Sequence, residues 1–237
     1  MKKEKKPVVM ITGAAGNLGS AVARYFSSRG VRLFLWAYHE GELSDRYPEL
    51  RENPDHLLVE GVDLTEQEEV KQAVEKGLEK LGRIDVLVHT VGGFRMGQEV
   101  HELDAQTWNL MMDLNVKTLL NTVQAVIPHL LENKQGKIIT IGARTSLEGK
   151  AKMGAYSAAK GAVLRLTESM AAELKTEGIN VNCVLPGTID TPENRRAMPN
   201  ADTDKWVKPA SLAEVIGFLA SEEARDIHGT AVPVYGG

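Results

Sequence analysis

Tyr156 and Lys160 lie four residues apart within GAYSAAKGAV, a run of small helix formers from residue 154 to residue 163. On a helix this spacing places a phenol and an ammonium group on one face. Hydride addition to a carbonyl carbon leaves an alkoxide, which needs a proton from a donor such as tyrosine. A nearby ammonium favours the phenolate and lowers a tyrosine pKa from its usual value of about 10. The motif is short and recurs by chance, so its weight depends on the rest of the chain.

The composition of this 237-residue chain indicates a globular protein. Hydrophobic residues make up 43% and charged residues 25%, and the net charge of −4 gives no reason to expect nucleic acid or an anionic membrane as a partner. Cys183, the single cysteine, lies in the apolar run INVNCVL, which predicts a buried, inert thiol, no disulfide framework and no metal site. The apolar run after MKKEKKP is too short for a signal peptide or a membrane span, so we expect a cytoplasmic protein.

Short apolar segments typical of strands alternate with longer segments typical of helices. Continuous apolar strands separated by helices form parallel sheets that are covered on both faces. The sequence therefore predicts a single α/β domain, residues 1–237, with a doubly wound, mostly parallel, seven-stranded sheet. The predicted strands are 7–12, 31–36, 56–62, 84–90, 136–142, 179–185 and 230–235, and the predicted helices lie near 17–29, 66–81, 104–131, 153–177 and 210–221.

A glycine-rich segment, TGAAGNLG, follows the first predicted strand and opens the first predicted helix. Gly13, Gly16 and Gly19 have no side chains to keep a diphosphate away from the backbone. The helix N-terminus offers free N–H groups and the positive end of the helix dipole. This placement predicts a dinucleotide site, whereas the glycines alone would indicate only a tight turn.

Polar or small residues also follow the other predicted strands. Asp63 closes the third strand in VDLT, HTVGG follows the fourth strand, and LPGTIDTP follows the sixth. Taken singly, Asp63 is a helix cap, and Asn115 in the long helix after the fourth strand makes a local backbone bond. In a doubly wound sheet these segments meet at the carboxyl edge, where ligands bind, and Tyr156 and Lys160 reach the same edge. Together they predict one active site.

These motifs resemble the short-chain dehydrogenase/reductase family along the whole chain, from TGAAGNLG through DLT, Asn115, YSAAK and PG to VYGG. The resemblance implies a Rossmann-type sheet, an NAD(P) cofactor, a small-molecule substrate and a homodimer or homotetramer. It makes Tyr156 the acid/base and Asn115 the support of a proton-relay water, while Lys160 holds the nicotinamide ribose and lowers the tyrosine pKa. The cofactor-binding positions that it implies are Gly13, Gly16, Asn17, Leu18, Gly19, Ala37, Tyr38, His39, Asp63, Leu64, Val91, Gly92, Pro186, Ile189 and Thr191.

Two segments depart from the family pattern near the cofactor. Asn17 stands where a glycine is usual, with Gly16 displaced by one, and asparagine tolerates a left-handed backbone. The fourth strand ends in HTVG instead of NNAG, and we interpret its His89 as structural.

The third departure concerns substrate polarisation. The family places a serine thirteen residues before Tyr156, where this chain has Ala143. Thr145 or Ser146 lies close enough in sequence to replace it. Ala143, Arg144 and Thr145 are the candidate substrate residues, and Arg144 would favour an anionic or hydrogen-bond-rich planar substrate.

Alanine at position 143 and the stretches VGGF, GARTSLEG and LPGTIDTPENRRAMP are similar to dihydropteridine reductases. Those enzymes reduce a quinonoid dihydropterin, for which a serine that polarises a ketone matters less. The predicted reaction is thus hydride transfer to a carbonyl or quinonoid pterin-like substrate. The alternatives are a 3-oxoacyl-thioester reductase and a non-catalytic NAD(P) sensor, although a sensor has little reason to keep the tyrosine, lysine and asparagine together.

The choice between NADH and NADPH depends on the end of the second strand. A carboxylate there accepts from the ribose 2′-OH of NAD, and an arginine meets the 2′-phosphate of NADP. The chain has Ala37, Tyr38 and His39 at this place, so neither group is present. Because His39 can contact a 2′-phosphate and no carboxylate repels one, we predict a slight preference for NADPH.

Overall fold

The computed structural model describes residues 6–237 and has one seven-stranded sheet, with every strand pairing parallel and in the order β3-β2-β1-β4-β5-β6-β7. The predicted doubly wound, Rossmann-type α/β fold is confirmed. Residues 1–5, which belong to the predicted domain range 1–237, lie outside the described residues. The strands are β1 (Val8–Thr12), β2 (Arg32–Trp36), β3 (Leu57–Val59), β4 (Val86–His89), β5 (Gly136–Ile141), β6 (Ile179–Pro186) and β7 (Ala231–Val234).

The strand order reverses between β1 and β4. Strand β1 pairs with β2 on one side and with β4 on the other, and Thr12 stands opposite His89 in the register. The connections that leave these two strands turn in opposite directions and open a crevice at the carboxyl edge. A nucleotide binds at this point in doubly wound folds.

Helices cover both faces of the sheet, because the inner strands are apolar on both sides. Phe34 and Trp36 lie in the core cluster of one face, and Ile11 and Leu35 lie in the cluster of the other face. The helices are α1 (Asn17–Ser27), α2 (Glu42–Arg46), α3 (Pro48–Arg51), α4 (Gln67–Leu81), α5 (Ala105–Met112), α6 (Thr118–Asn133), α7 (Gly154–Leu174), α8 (Pro192–Ala197) and α9 (Pro209–Leu219).

The structure corrects several predicted elements. The helix predicted near 104–131 is divided into α5 and α6 by a π-helical turn, Asp113–Lys117. Strand β3 ends at Val59, four residues before Asp63, because Gly61 turns the chain with φ of 73°. The short helices α2, α3 and α8 are absent from the prediction.

No helix in residues 6–237 combines the length and apolar character that a membrane crossing requires. The same part of the chain brings no three His, Cys, Asp or Glu side chains together in a way that could hold a metal ion.

Candidate active site

The glycine loop packs its own backbone tightly against the start of α1. Gly13 has φ of 66°, and a Cβ atom on Gly19 would lie 2.1 Å from the Gly13 carbonyl oxygen. Any side chain at position 19 would therefore push the loop away from the helix. The N-cap of α1 is Gly16, which has no side chain to bond the first-turn N–H groups, and that turn contains no acid. These features fit a bound diphosphate, which the free N–H groups of Asn17, Leu18 and Gly19 would hold.

The segment after β2 forms the next wall of the crevice. The Ala37 N–H donates to Val59 O at 3.1 Å, which holds buried Ala37 at the sheet edge. The rings of Tyr38 and His39 are exposed and pack edge to face, with centroids 4.7 Å apart. The His39 N–H donates to Glu42 Oε2 at 3.3 Å.

Sequence reasoning missed two carboxylates beside this segment. Glu42 accepts from the His39 backbone, and Glu40 lies over Gly61, where a Cβ would stand 2.4 Å from its Oε1. They follow the strand end by several residues, beyond the positions where a ribose-binding carboxylate was sought. Their charge opposes a 2′-phosphate here, so the predicted preference for NADPH stays a prediction.

Asp63 is held in a turn and does not cap α4. Its Oδ1 accepts from the backbone N–H and the hydroxyl of Thr65, at 2.8 and 2.7 Å, whereas the N-cap of α4 is Glu66. The reading of Asp63 as a helix cap is therefore wrong. Leu64 is buried, and its carbonyl accepts from Asn121 Nδ2 at 2.9 Å. These bonds fix the third segment of the crevice.

The segment after β4 lies against the glycine loop. Thr90 Oγ1 donates to Thr12 O at 2.6 Å, and a Cβ on Gly13 would lie 3.0 Å from a methyl group of Val91. A Cβ on Gly92 would lie 2.8 Å from Asn115 Oδ1 and 3.0 Å from Lys160 Nζ. Gly92 is thus the point where β4, the π-helical turn and α7 converge.

Asn115 lies in the π-helical turn and is almost fully buried. Its Oδ1 accepts from Gly93 N, and its Nδ2 donates to Gly93 O and to Met111 O, at 3.1, 3.1 and 2.9 Å. The side chain therefore clamps the backbone after β4, which is a bond to another element and not merely a local one. Single π-helical turns inside α-helices are frequent at functional sites.

Tyr156 and Lys160 lie on consecutive turns of α7, and burial shifts the pKa values of both side chains. Burial raises the pKa of Tyr156 to about 12. Burial lowers the pKa of Lys160 to about 8, and its ammonium donates to Ile141 O at 2.9 Å. Burial is the cause of the rise in the Tyr156 pKa, and the lowering of the tyrosine pKa by Lys160 stays a prediction. The phenol stays protonated at neutral pH.

Phe94 packs edge to face against Tyr156, with ring centroids 4.8 Å apart. About half of the Phe94 side chain (47%) is exposed, so the ring forms an apolar rim beside the phenol. Sequence reasoning missed this residue, although it is an aromatic side chain two residues past Gly92 at the carboxyl edge of the sheet.

The turn after β5 settles what the hydroxyls near Ala143 do. Ser146 Oγ accepts from the Ala143 N–H at 3.0 Å, and it lies behind the turn, 2.9 Å from where a Gly142 Cβ would stand. Thr145 Oγ1 is buried and has no hydrogen-bond partner among the described residues. Of the two hydroxyls proposed to replace the missing serine, only that of Thr145 is unengaged.

The segment after β6, residues 187–208, is called the lid below. Ile189 bridges Val207, and Thr191 caps α8 by accepting from Asn194 N at 3.1 Å. Pro186, which ends β6, is buried. Gly187 follows it, and a Cβ there would lie 2.7 Å from Tyr235 O.

Arg144, the cation predicted to meet the substrate, and two cations of the lid are paired with acids. Arg195 Nε and Nη2 donate to Asp190 at 2.5 and 2.8 Å, and Lys205 lies 3.1 Å from Asp202. Arg144 Nε lies 3.4 Å from Glu148 Oε1, with its guanidinium 5.3 Å from the Tyr235 ring centroid. These pairs favour the interpretation of the lid cations as solvated surface charges.

His89 and Cys183 are buried beneath the site. The His89 ring lies 3.0 Å from Thr12 Oγ1, and burial lowers its pKa to about 3, with Lys160 adding to the effect. Burial raises the pKa of Cys183. Both residues are structural, as the sequence predicts.

The sequence model of the short chain dehydrogenase family matches residues 7–202. The chain belongs to this family. As a short-chain dehydrogenase it is an NAD(P)-dependent oxidoreductase, which confirms the predicted family and enzyme class and disfavours a non-catalytic sensor.

Three relatives illustrate the match. The chain is 30% identical to the 3-oxoacyl-[acyl-carrier-protein] reductase FabG of Thermotoga maritima over 245 residues, which cover 100% of this chain and 99% of that protein. It is 34% identical to an uncharacterized oxidoreductase of Staphylococcus saprophyticus over 212 residues, 87% and 88% of the two chains. The solved structure of ElxO with NADP bound has a TM-score of 0.89 and 26% identity over 97% of each chain. The pterin resemblance finds no support among these short-chain dehydrogenases.

Proposed function

We propose that this short-chain dehydrogenase reduces the carbonyl group of a small molecule with NADPH or NADH, and that Tyr156 supplies the proton. The observation that supports this most is geometric: Tyr156 lies one turn before Lys160 on α7, and Lys160 Nζ and Asn115 Oδ1 both approach Gly92 at the carboxyl edge of the sheet. Burial also raises the Tyr156 pKa to about 12, so the phenol keeps its proton. A donor that stays protonated suits the direction of reduction, in which the substrate oxygen gains a proton.

Each side chain has a distinct part in this scheme. The nicotinamide cofactor supplies the hydride when it is bound. The N–H groups at the start of α1 hold its diphosphate, and Lys160 releases its bond to Ile141 O to donate toward the nicotinamide ribose. Asn115 keeps the backbone after β4 in place through Gly93, and Phe94 keeps water away from one side of the Tyr156 ring.

The other cofactor-binding residues are assigned from their positions along the crevice. Ala37, Tyr38, His39, Asp63 and Leu64 border the adenosine end of the crevice. Val91, Pro186, Ile189 and Thr191 border its nicotinamide end. The ElxO structure has NADP bound and carveol dehydrogenase from Mycobacterium avium has NAD bound, so these structures support a nicotinamide dinucleotide without favouring one form.

A 3-oxoacyl thioester is the second candidate substrate. The relative from Thermotoga maritima is named as a 3-oxoacyl-[acyl-carrier-protein] reductase, and the exposed Phe94 ring beside Tyr156 offers an apolar surface to an acyl chain. A quinonoid dihydropterin is retained only as a comparison substrate.

The test is a spectrophotometric assay of cofactor oxidation with ketones, 3-oxoacyl thioesters, quinones and quinonoid dihydropterin. We expect oxidation with a carbonyl substrate and a loss of turnover by about 10²–10⁴ in Tyr156→Phe, with little change in cofactor affinity. A Tyr156→Phe variant with near-complete turnover would exclude the tyrosine from the reaction.

We further infer a homodimer or homotetramer in the cytoplasm. Leu120 on α6 and Phe218 on α9 expose 40% and 47% of their surface and are the apolar side chains that we expect a partner subunit to cover. Cys183 is a buried free thiol, which suits a reducing compartment. Light scattering of wild type and of Leu120→Glu with Phe218→Glu tests the first inference, and cell fractionation tests the second.

A further inference from the structure

One hydrogen bond joins the glycine loop to the lid. Asn17 Nδ2 donates to Glu193 Oε2 at 2.7 Å, across 176 residues of sequence. Asn17 is the first residue of α1, and Glu193 lies in the first turn of α8. The lid thereby carries a carboxylate to the N-terminus of α1.

The N-terminus of α1 is the place where a diphosphate would bind. Its N-cap, Gly16, makes no side-chain bond to the first turn, and α1 has no acidic residue of its own there. Free N–H groups and the positive end of the helix dipole attract any anion that can reach them. In this structure the Glu193 carboxylate reaches this end of the helix through the side-chain amide of Asn17.

Glu193 is held in position from both sides. Its Oε1 accepts from Arg196 at 3.3 Å, while its Oε2 accepts from Asn17. The start of α8 is fixed by Thr191, which caps the helix, and by Asn194 Nδ2, which donates to Ile189 O at 2.8 Å. Hydrogen bonds, from its own backbone N–H and then from Asn17, lower the pKa of Glu193, so the carboxylate is ionised at neutral pH.

A diphosphate and this carboxylate are like charges that need the same end of α1. They repel each other at short range, and the repulsion is screened by salt because the pair is exposed. A diphosphate bound at the start of α1 would therefore disfavour the contact of Glu193 with Asn17. Asn17 stands where the family pattern has glycine, and its side-chain amide is the hydrogen-bond donor that holds Glu193 at this end of α1.

We propose that Glu193 is a resident anion that competes with the cofactor diphosphate for the N-terminus of α1, and that Asn17 holds it there. Glu193 then weakens cofactor affinity and speeds cofactor release, while the lid stays docked to the glycine loop when no cofactor is bound. This inference rests on the proposed function, because it needs a nicotinamide dinucleotide as the ligand.

The first test is a fluorescence titration of NADPH and NADH into wild type and Glu193→Gln, with stopped-flow measurement of dissociation. We expect Glu193→Gln to bind both cofactors about tenfold more tightly at low salt and to release them more slowly, with the gain shrinking as salt rises. The matched control is Asp202→Asn, which removes the same charge from the lid at the Lys205 ion pair, away from α1. It should leave both affinities unchanged.

Probe molecules separate the diphosphate from the rest of the cofactor. Calorimetric titration should show that Glu193→Gln gains affinity for ADP but not for adenosine, which carries no phosphate. Asn17→Ala should tighten ADP binding in the wild-type background and have little further effect in the Glu193→Gln background, because the two residues act through one bond.

The outcomes distinguish this inference from the proposed function. If the wild type binds neither cofactor, both the reductase proposal and the resident-anion role of Glu193 are overturned. If the wild type binds a cofactor with the same affinity as Glu193→Gln, or if Asp202→Asn gives an equal gain, the resident-anion role of Glu193 is overturned and the reductase proposal stands. An equal gain for adenosine and ADP would also overturn it.

Discussion

The two sides of the active-site crevice are held by different kinds of interaction. On the inner side, Asn115 and Lys160 are buried and bond to backbone groups of neighbouring elements. On the other side, backbone bonds such as Asp190 N to Val207 O hold the lid to itself, and its charged side chains form exposed ion pairs such as Arg195 with Asp190. Buried bonds left unmade cost far more than exposed ones, so we expect side chains on the inner side to resist displacement more than the charged side chains of the lid. The proposed reaction would take place on the side with buried bonds, and the proposed cofactor competition would take place on the side with exposed ones.

The substitution Gly92→Ala should have the largest effect, and it tests whether the inner side of the crevice tolerates an added methyl group. The new methyl group would stand 2.8 Å from Asn115 Oδ1 and 3.0 Å from Lys160 Nζ, and neither side chain has room to move without losing a buried bond. We expect turnover to fall by at least about 10², a common cost of small misplacements in an active site.

Gly149→Ala is the matched control for that prediction. Gly149 lies at the same edge of the sheet, and a Cβ there meets no atom within 4 Å. Turnover is measured for both variants, and circular dichroism shows whether each of them is folded. Unchanged turnover in Gly92→Ala would mean that the inner side is as adaptable as the lid.

The second prediction concerns the charge of Lys160 in the cofactor-free protein. Its pKa is lowered from 10.5 to about 8 by burial, so below pH 8 the native and unfolded chains both carry the proton and the burial penalty is complete. Between about pH 8 and 10.5 only the unfolded chain keeps the proton, so the free energy of unfolding of the wild type rises with pH.

We therefore expect Lys160→Met to be more stable than the wild type at pH 7, by at most about 3 kcal/mol. The difference should narrow as pH approaches 10.5. Urea denaturation over this pH range measures it. A constant difference between the two proteins would show that burial does not perturb the lysine.

The site residues divide into those that sequence predicts and those that it does not. The glycine loop and the Tyr156–Lys160 pair were predictable, because each is a local motif on an element that hydrophobic periodicity identifies. The tyrosine pKa was not, because it depends on burial by Phe94, which comes from a different segment. A bond such as Asn17 to Glu193 joins distant parts of the chain and leaves no local pattern.

The fold shows the same division. All seven strands follow from apolar runs, whereas the π-helical turn at Asp113–Lys117 interrupts a pattern that reads as one continuous helix. The helices α2, α3 and α8 have four to six residues each, too few to show a period. The end of β3 is set by Gly61, and a single glycine in an apolar run does not by itself end a strand.

Substitution of Thr145 should have a smaller effect on turnover. It tests whether this buried hydroxyl contributes to packing or to catalysis. Its hydroxyl is buried without a partner, so Thr145→Val should stabilise the protein by about 1 kcal/mol and change turnover only slightly. Ser146→Ala should also leave turnover nearly unchanged, because its hydroxyl is engaged in the turn with Ala143. Denaturation and turnover are measured together. A loss of turnover by orders of magnitude in Thr145→Val would show that Thr145 replaces the missing serine.

The smallest effect should come from the lid. Arg195→Gln removes an exposed ion pair with Asp190, and we expect the unfolding midpoint and the KM of the best substrate to stay the same. A large rise in KM would instead assign Arg195 to substrate binding and would make the lid part of the recognition surface.

The π-helical turn has a consequence for how this protein tolerates insertions and deletions. Deleting one residue between Asp113 and Lys117 would let α5 and α6 continue as one regular helix, which is the more favourable backbone conformation. The same deletion would rotate Asn115 about 100° around the helix axis and away from Gly93. We therefore expect a chain one residue shorter in this turn to gain helix stability and to lose the amide group that fixes the backbone after β4.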